Sequence, residues 1–249
     1  MEGSPFLLSY FLILLSIAIA RREGLGNEKE LLFASLRTTV QLVLLGFFLK
    51  YLLKLESLLE TLLVIFGMSV IASFIAYERL RYRNVLMSGL ISINVATFTV
   101  IVPLLLVGLL GPRPHELIPF GGLIVGNSLN SITLSLDRFI GEVRGRLEEI
   151  EAKVALGASL RVAMDDAFVD SLRTSLIPKV NFMKAAGLVH IPGVAVGMLM
   201  AGADPMDAVL YQVVILYSLV LAGLLGSVLA LYLSHRKVFR LIADSRSIH

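Results

Sequence analysis

Residues 117–201 read as an apolar segment, a charged block and a second apolar segment. The first segment contains LIPFGGLIVGNSLNS at 117–131, in which glycines, amides and hydroxyls interrupt the apolar run. The charged block contains EAKVALGAS at 151–159, and the second apolar segment contains HIPG at 190–193. This order predicts two membrane-embedded segments joined by a long amphipathic loop that is accessible to a partner.

The composition indicates an integral membrane protein. The chain of 249 residues is 57% hydrophobic and 16% charged, whereas soluble domains are about 45–50% apolar and about 25% charged. Apolar runs of about 20 residues match a hydrocarbon core about 30 Å thick, and they lack the period-two alternation of barrel strands. Cysteine is absent, which excludes disulfides and thiolate ligands. The net charge of +3 suits anionic lipid and loop orientation better than nucleic acid.

The predicted fold is an all-α bundle of about seven transmembrane helices, forming a single permease domain over 1–249. The predicted spans are 5–20, 30–53, 57–77, 86–110, 116–136, 180–201 and 207–233. Most Lys and Arg residues fall in alternate connectors, so the positive-inside rule places the N-terminus outside and the C-terminus in the cytoplasm. The same rule places the long loop at about 137–179 in the cytoplasm. The first span lacks a preceding basic region and a cleavage site, which favours a retained helix over a signal peptide.

The long loop is predicted to contain two amphipathic helices. Their apolar stripes are Val143, Leu147, Ile150 and Val154 in the first helix, and Leu160, Met164, Phe168, Leu172 and Leu176 in the second. Gly157 ends the first helix, Ser159 is the expected N-cap of the second, and Pro178 is expected to interrupt the second before the sixth span. The corner at 157–159 suits either insertion into a groove on a partner or a hairpin lying on lipid headgroups.

Small and polar residues inside the spans separate into two predicted groups. The first group has the spacing of close helix packing, with an amide that bonds across the contact: Gly122, Gly126 and Asn130, followed by Gly193 and Gly197 in the sixth span. The second group points elsewhere around the fifth helix and is a candidate for a hydrophilic path: Asn127, Ser128 and Ser131. Pro192 removes one helical hydrogen bond, which favours a break in the sixth span.

Three further polar residues are candidates for the path. Arg37 and Gln41 lie one turn apart in the second span, where Arg37 either snorkels to the interface or turns with Gln41 into the bundle. His190 is the only histidine near a span interior. A lone histidine without nearby carboxylates is a poor metal site, so His190 is either structural or part of the path, and no metal site is assigned.

Glu151, Ala152 and Gly157 resemble the EAA…G coupling loop of ABC-transporter permeases, although Lys153 stands where that pattern has alanine. The flanking segments are similar to the iron-export permease family of ABC transporters, which includes plant aluminium-tolerance permeases. These segments are LIP at 117–119, GNSLN at 126–130, VALGA at 154–158, IPKVN at 177–181, VHIPG at 189–193, AVLYQ at 208–212, and Arg37, Gln41, Leu42 and Gly46 in the second span.

The resemblance implies a permease subunit of the cell (inner) membrane, pairing as a homodimer with two copies of a separate ABC ATP-binding subunit. Its coupling residues would be Glu151, Ala152, Gly157, Ala158 and Ser159. The chain would hold no cofactor and would not itself be an enzyme, since ATP and Mg would bind the partner; consistently, it has no G-x-x-x-x-G-K-[ST] motif. Export of iron or another metal ion is also implied, although 194–198 depart from the family's usual Met pair, Thr and Gln.

Two other functions remain to be weighed. An ion-gradient-driven secondary transporter would use Arg37, Gln41 and Asn127 as its site, but such proteins usually need an intramembrane carboxylate. The predicted spans of this chain confine Asp and Glu to their ends. A membrane-embedded enzyme is disfavoured because the sequence lacks H-E-x-x-H and G-x-S-x-G motifs and has no carboxylate pair within a span.

Overall fold

The computed structural model describes residues 3–80 and 83–246, with side chains described for 10–80 and 86–243. Within these ranges the chain is helical and contains no strand, only an isolated bridge between Ala186 and His190. The helices are α1 (Gly3–Arg22), α2 (Glu28–Leu52), α3 (Leu58–Leu80), α4 (Arg83–Leu106), α5 (Pro114–Gly145), α6 (Leu147–Ala155), α7 (Leu160–Ala163), α8 (Asp165–Ala185), α9 (Gly193–Met200) and α10 (Pro205–Arg246). The prediction of an all-α protein is confirmed.

Five helices are long and apolar enough to cross a membrane, which makes the chain a multi-pass membrane protein. They are Glu28–Leu52, Leu58–Leu80, Leu86–Leu106, Pro114–Gly145 and Pro205–Ala243, and they correspond to the predicted second to fifth and seventh spans. The first predicted span falls in α1, whose first side chains lie outside the described residues. The sixth predicted span does not form a single helix, because residues 180–201 are divided between the end of α8, a turn and α9.

The chain divides into two units, of which the first is Met1–Leu55. It is a helical hairpin in which α1 and α2 are joined by a short turn, with Gly24 and Gly26 at φ +65° and +71°. The Tyr10 hydroxyl donates to Thr39 Oγ1 at 3.1 Å and ties the two helices together. No residue of α2 is buried, although every one of them is described; its exposed leucines and phenylalanines are the surface expected of a lipid-facing helix.

The second unit, Glu56–His249, is organised around α5 and α10, which run in the same direction. Asn127 of α5 bonds to the Leu219 carbonyl of α10 at 2.8 Å, and five residues further along α5 a Cβ at Gly226 would lie 3.1 Å from Ile132. The residue numbers at these contacts therefore increase along both helices in the same direction, which shows that the two helices are parallel. Glycine at 226 allows this close approach.

α8 runs antiparallel to both central helices and returns the chain between them. The Phe168 ring lies 6.1 Å from that of Phe139, while Lys179, further along α8, meets Asn127, nearer the start of α5. Because α5 and α10 run in the same direction, the chain must run back between them in the opposite direction. The helix that does so is α8 and not a helix over 180–201.

The predicted sixth span is therefore misplaced, and the backbone explains why. α8 ends at Ala185, Gly187 adopts φ +82°, and α9 begins only after Pro192. A positive φ and a proline without an N–H group both stop a helix. α9 is anchored from α10 instead, because the buried Gln212 Oε1 accepts a hydrogen bond from the Ala195 N–H at 3.2 Å.

The second loop helix is not interrupted at Pro178 as predicted. It is divided instead at Met164 into α7 and α8, and Pro178 lies within α8. Proline removes one backbone hydrogen bond, but α8 packs against α5 and α10 on both sides of this position. Ser175 is buried before the proline, and Lys179 is half-buried after it. Tertiary packing thus keeps the helix continuous where local propensity favours a stop.

α5 and α10 extend beyond their predicted ends at 136 and 233. Phe139 and Val143 are fully buried on α5, and Val238 and Ile242 are buried on α10. On each helix the buried apolar face therefore continues beyond the segment in which nearly every residue is apolar. At 1.5 Å per residue, the 32 residues of α5 span about 48 Å, well beyond a hydrocarbon core about 30 Å thick. The loop therefore starts from a rigid helical extension.

Candidate functional site

The first candidate site is the corner between α6 and α7, defined as residues 151–159. Gly157 takes φ +96°, which turns the chain sharply after α6. The predicted N-cap is confirmed, because the Val162 N–H donates to Ser159 Oγ at 3.4 Å. Leu156 is 90% exposed at the apex, so the corner carries an uncovered apolar side chain.

The predicted amphipathic stripes hold the corner onto the rest of the second unit, except at Val154, which is exposed. Leu147 and Ile150 are buried on α6, as are Met164 and Phe168 on the other side of the turn. The opposite faces carry Glu151 and Ala152, which are exposed. The corner is consequently a packed hairpin with a free outer surface.

Arg146 ties the end of α5 to α8. Its Nη2 atom lies 2.9 Å from Asp170 Oδ2 and 3.0 Å from Glu142 Oε2. The hydrogen bond to Asp170, with the nearby carboxylate charges, raises the pKa of Arg146 above its ordinary value despite partial desolvation. The guanidinium therefore stays charged at any working pH and braces the base of the hairpin.

Lys153, the residue that departs from the EAA pattern, has a structural role. Its Nζ atom lies 2.7 Å from Glu149 Oε1 within α6 and 3.2 Å from Asp166 Oδ2 on α8. The hydrogen bonds to Glu149 and then Asp166 raise the pKa of Lys153 above its ordinary value. Its contribution to holding α6 against α8 is therefore present at neutral pH and is lost only as pH rises through that elevated pKa.

The second candidate site is a cavity of about 330 Å³ between α5, α8 and α10. Most of its wall is apolar, with a few amides and hydroxyls and one charged side chain. Its lining residues are Asn127, Asn130, Ser131, Leu134, Ser175, Pro178, Lys179, Phe182, Met183, Leu216, Leu219 and Val220. An apolar cavity with a few convergent polar groups is the usual form of a small-ligand site.

Lys179 and Asn127 form the polar centre of this cavity. Lys179 Nζ donates to Asn127 Oδ1 at 2.7 Å, and Asn127 Nδ2 donates to the Leu219 carbonyl at 2.8 Å. A Cβ at Gly223 would overlap the Lys179 stem and lie 2.7 Å from Ser131 Oγ. The bare glycine of α10 thus makes room for the lysine.

A second cavity of about 260 Å³ adjoins the first along the same face of α5. Asn130 and Leu134 line both cavities, and Arg79, Thr133 and Asp137 contribute to the second. Asn130, Leu134 and Asp137 therefore form an exposed strip along one face of α5, whereas Thr133 is buried.

The structure separates the three predicted path residues of α5. Asn127 and Ser131 line the first cavity, whereas Ser128 is fully buried and its Oγ has no partner among the described residues. Asn130, predicted to bond across a packed helix contact, is exposed and lines both cavities instead. The spacing rule identified the correct helix but not the correct face for this amide.

The remaining path candidates lie elsewhere. Arg37 and Gln41 are exposed on α2 in the first unit. His190 lies between α8 and α9, with its ring centroid 4.6 Å from that of Phe182, and it does not line the cavity with Asn127. Among the described residues, no group of three or more His, Asp and Glu side chains is arranged to hold a metal ion.

The predicted packing glycines differ in what surrounds them. A Cβ at Gly122 would lie 3.7 Å from the Met68 sulfur, which is ordinary contact between α5 and α3. A Cβ at Gly126, Gly193 or Gly197 would meet nothing within 4 Å. Close helix packing at these three glycines is therefore not formed within the described part of the chain.

Lys179 is the residue that sequence reasoning missed, because it was assigned to the loop that ends at 179. One signal was available. The stripe that runs from Leu160 to Leu176 in steps of four continues, after three and four residues, to Lys179 and Met183, which is the spacing of one unbroken helix face.

Comparison with known proteins agrees with this architecture. The family described as "Uncharacterised protein family (UPF0014)" matches residues 4–239. The chain is 31% identical over 233 residues to the "Probable iron export permease protein FetB" of Escherichia coli (strain K12), covering 93% of this chain and 90% of that protein. It is 32% identical over 229 residues to "UPF0014 membrane protein slr1647" of Synechocystis, covering 90% and 88%.

A plant relative extends the comparison. The chain is 29% identical over 223 residues to "Protein ALUMINUM SENSITIVE 3" of Arabidopsis thaliana, covering 89% of this chain and 81% of that protein. No solved structure matches the chain at a significant level. Since the family match runs through nearly every described helix, the chain is a multi-pass membrane permease that belongs to the UPF0014 family.

Proposed function

We propose that the chain is the membrane-spanning subunit of an ABC transporter that exports iron or another metal ion. A separate ATPase subunit would bind ATP and Mg and would grip the corner at 151–159 on the cytoplasmic side. Two copies of the chain would form the permease, and neither would carry out catalysis itself. The observation that carries this proposal is the packed hairpin with Leu156 uncovered at its apex.

The position of the corner supports this assignment. Ile242, near the end of α10, lines a cavity with Arg144 and Leu147 at the base of the hairpin. The corner therefore lies at the same end of the second unit as the end of α10, and the positive-inside rule predicts that this end is cytoplasmic. A relative that aligns over 93% of this chain is named an iron export permease, which supports iron as the cargo.

The route from the corner to the cavity supports coupling. α5 and α8 both run from the hairpin to the Lys179–Asn127 pair. A displacement of the hairpin is thus expected to reach the cavity wall along two packed helices, as switching access with ATP turnover would require.

The direct test compares two leucines that are equally exposed. Leu156 and Leu188 are each 90% exposed, the first at the corner and the second in the α8–α9 turn at the opposite end of the second unit. The chain is co-purified with a candidate ATP-binding-cassette subunit from the same genome, with either leucine replaced by serine. Leu156→Ser should reduce recovery of the ATPase at least tenfold, while Leu188→Ser should leave it unchanged.

Retained ATPase binding in Leu156→Ser, together with intact transport in Gly157→Trp, would contradict the assignment of the corner. Equal loss in both serine variants would indicate a general folding defect and also count against it. The cargo is tested separately, by stimulation of the complex's ATP hydrolysis with iron salts in reconstituted vesicles.

A further inference from the structure

The cavity between α5, α8 and α10 has a positive wall without an internal counter-charge. Lys179 is its only charged lining residue, and none of the described residues that line it is acidic. The partner of the ammonium group is a neutral amide, at 2.7 Å from Asn127 Oδ1. An ammonium group has three donors, so one such bond leaves donors available to a ligand.

The lysine lies far along α8 from the corner, beside the part of α5 that carries Asn127. Fourteen residues separate it from the start of α8 at Asp165, which is about 21 Å of helix, and Asn127 lies about 27 Å from the end of α5 at Gly145. An ammonium group against the apolar middle of α5, a helix able to cross the membrane, is costly unless it is compensated or serves a function.

The surroundings of the amine are pre-arranged by three helices. The bare backbone of Gly223 on α10 accommodates the lysine stem, and Ser131 on α5 lies against the same point. Asn127 donates its Nδ2 hydrogen to the Leu219 carbonyl, which leaves its Oδ1 directed at the amine. The ammonium group is thereby held at the cavity wall rather than left to extend toward water.

We propose that this cavity binds an anionic oxygen group of the cargo, a carboxylate or a phosphate, through Lys179. A positive wall attracts an anion and repels a bare divalent cation, so a metal would cross as a net-anionic complex with its ligand. That the anion is cargo rests on the proposed transport function, but binding itself requires only this chain. A volume of about 330 Å³ is at the lower end for small-molecule sites.

The test measures binding to the purified chain in detergent, without the ATPase, so that a failed ATPase interaction cannot affect it. Citrate, iron(III) citrate and aqueous Fe²⁺ are titrated separately by calorimetry. Wild type should bind both anions and not Fe²⁺. Lys179→Met should weaken anion binding about tenfold or more, because a charge-assisted hydrogen bond is lost, while Lys179→Arg should retain most of it.

Lys184→Met is the matched control, since it makes the same change on the same helix at an exposed lysine that does not line the cavity. It should bind like wild type. If Lys179→Met does not fold, Asn127→Asp replaces it: a carboxylate beside the amine neutralises the wall without removing the lysine, and anion binding should fall similarly.

Three results would overturn the proposal. Binding of Fe²⁺ in preference to both anions would assign the cavity to a bare cation. Unchanged anion binding in both Lys179→Met and Asn127→Asp would show that the lysine only links α8 to α5 and does not bind the anion. Loss of citrate binding in nanodiscs of phosphatidylglycerol, but not of phosphatidylcholine, would identify the oxyanion as a lipid headgroup instead of cargo.

Discussion

Single residues show where local chemistry was sufficient to predict a role from the sequence and where it was not. Ser159 was identified as a cap from its place between two apolar stripes, because capping depends only on nearby backbone N–H groups. Lys179 was missed because its role depends on Gly223 and Asn127, which are distant in sequence. Charge in a sequence indicates surface by default, and only the packed helices show that this lysine faces a cavity.

Gln212 provides a prediction at the residue scale. Replacing it with methionine leaves the Ala195 N–H without its buried acceptor, which should cost about 1–3 kcal/mol. The melting temperature in detergent should fall by several degrees, given about 2–4 °C per kcal/mol for a chain of this size. Gln41→Met makes the same change at an exposed site and should have little effect. Equal melting temperatures for both variants would show that α9 does not need this anchor.

At the scale of elements, the ends of helices were harder to predict than their existence. The runs that became α2, α3 and α4 were located to within a few residues, because uniformly apolar segments are recognised by length alone. The ends of α5 and α10 were placed too early, since Phe139 and Val238 continue a buried stripe among charged neighbours. The break before α9 depends on Gly187 adopting a positive φ, which composition does not reveal.

The base of the hairpin gives a prediction at the same scale. Arg146 and Arg173 both contact Asp170, at 2.9 Å and 3.5 Å, but Arg146 also binds Glu142. Arg146→Met should loosen the hairpin by roughly 1 kcal/mol or less, seen as about twofold to fivefold faster amide exchange in α6 and α7. Arg173→Met should leave that exchange unchanged. Faster exchange in both variants, or in neither, would contradict a specific brace at Arg146.

At the scale of the whole molecule, composition predicted the class of membrane protein, and the family resemblance suggested the proposed partner. Neither predicted which residues lie on the lateral surface of the second unit, which only the structure shows. The exposed strip on α5 carries Asn130 and Asp137, with Arg79 across the second cavity. Polar groups on a spanning helix are costly against hydrocarbon. A second copy of the chain, or water enclosed by one, would cover this strip in the membrane.

This surface yields a prediction that exploits the absence of cysteine. A single Asn130→Cys substitution should be linked into dimers by a short bis-maleimide in native membranes. Ile91→Cys, on the exposed apolar side of α4, should not be, because it faces lipid. Comparable linking at both positions would indicate random collision, and no linking at Asn130→Cys would remove the strip from the dimer interface.

Pro178 immediately precedes Lys179 in α8, and this adjacency has a mechanical consequence. A helix flexes where a backbone hydrogen bond is missing, whereas α5 has its internal proline at Pro119, outside the stretch between Asn127 and the hairpin. Force applied at the corner at 151–159 would therefore bend α8 before α5. The joint lies beside the amine, so bending alters the gap between ammonium and amide. On the proposed function, movement of the corner would thus change the electrostatic field at the proposed anion site.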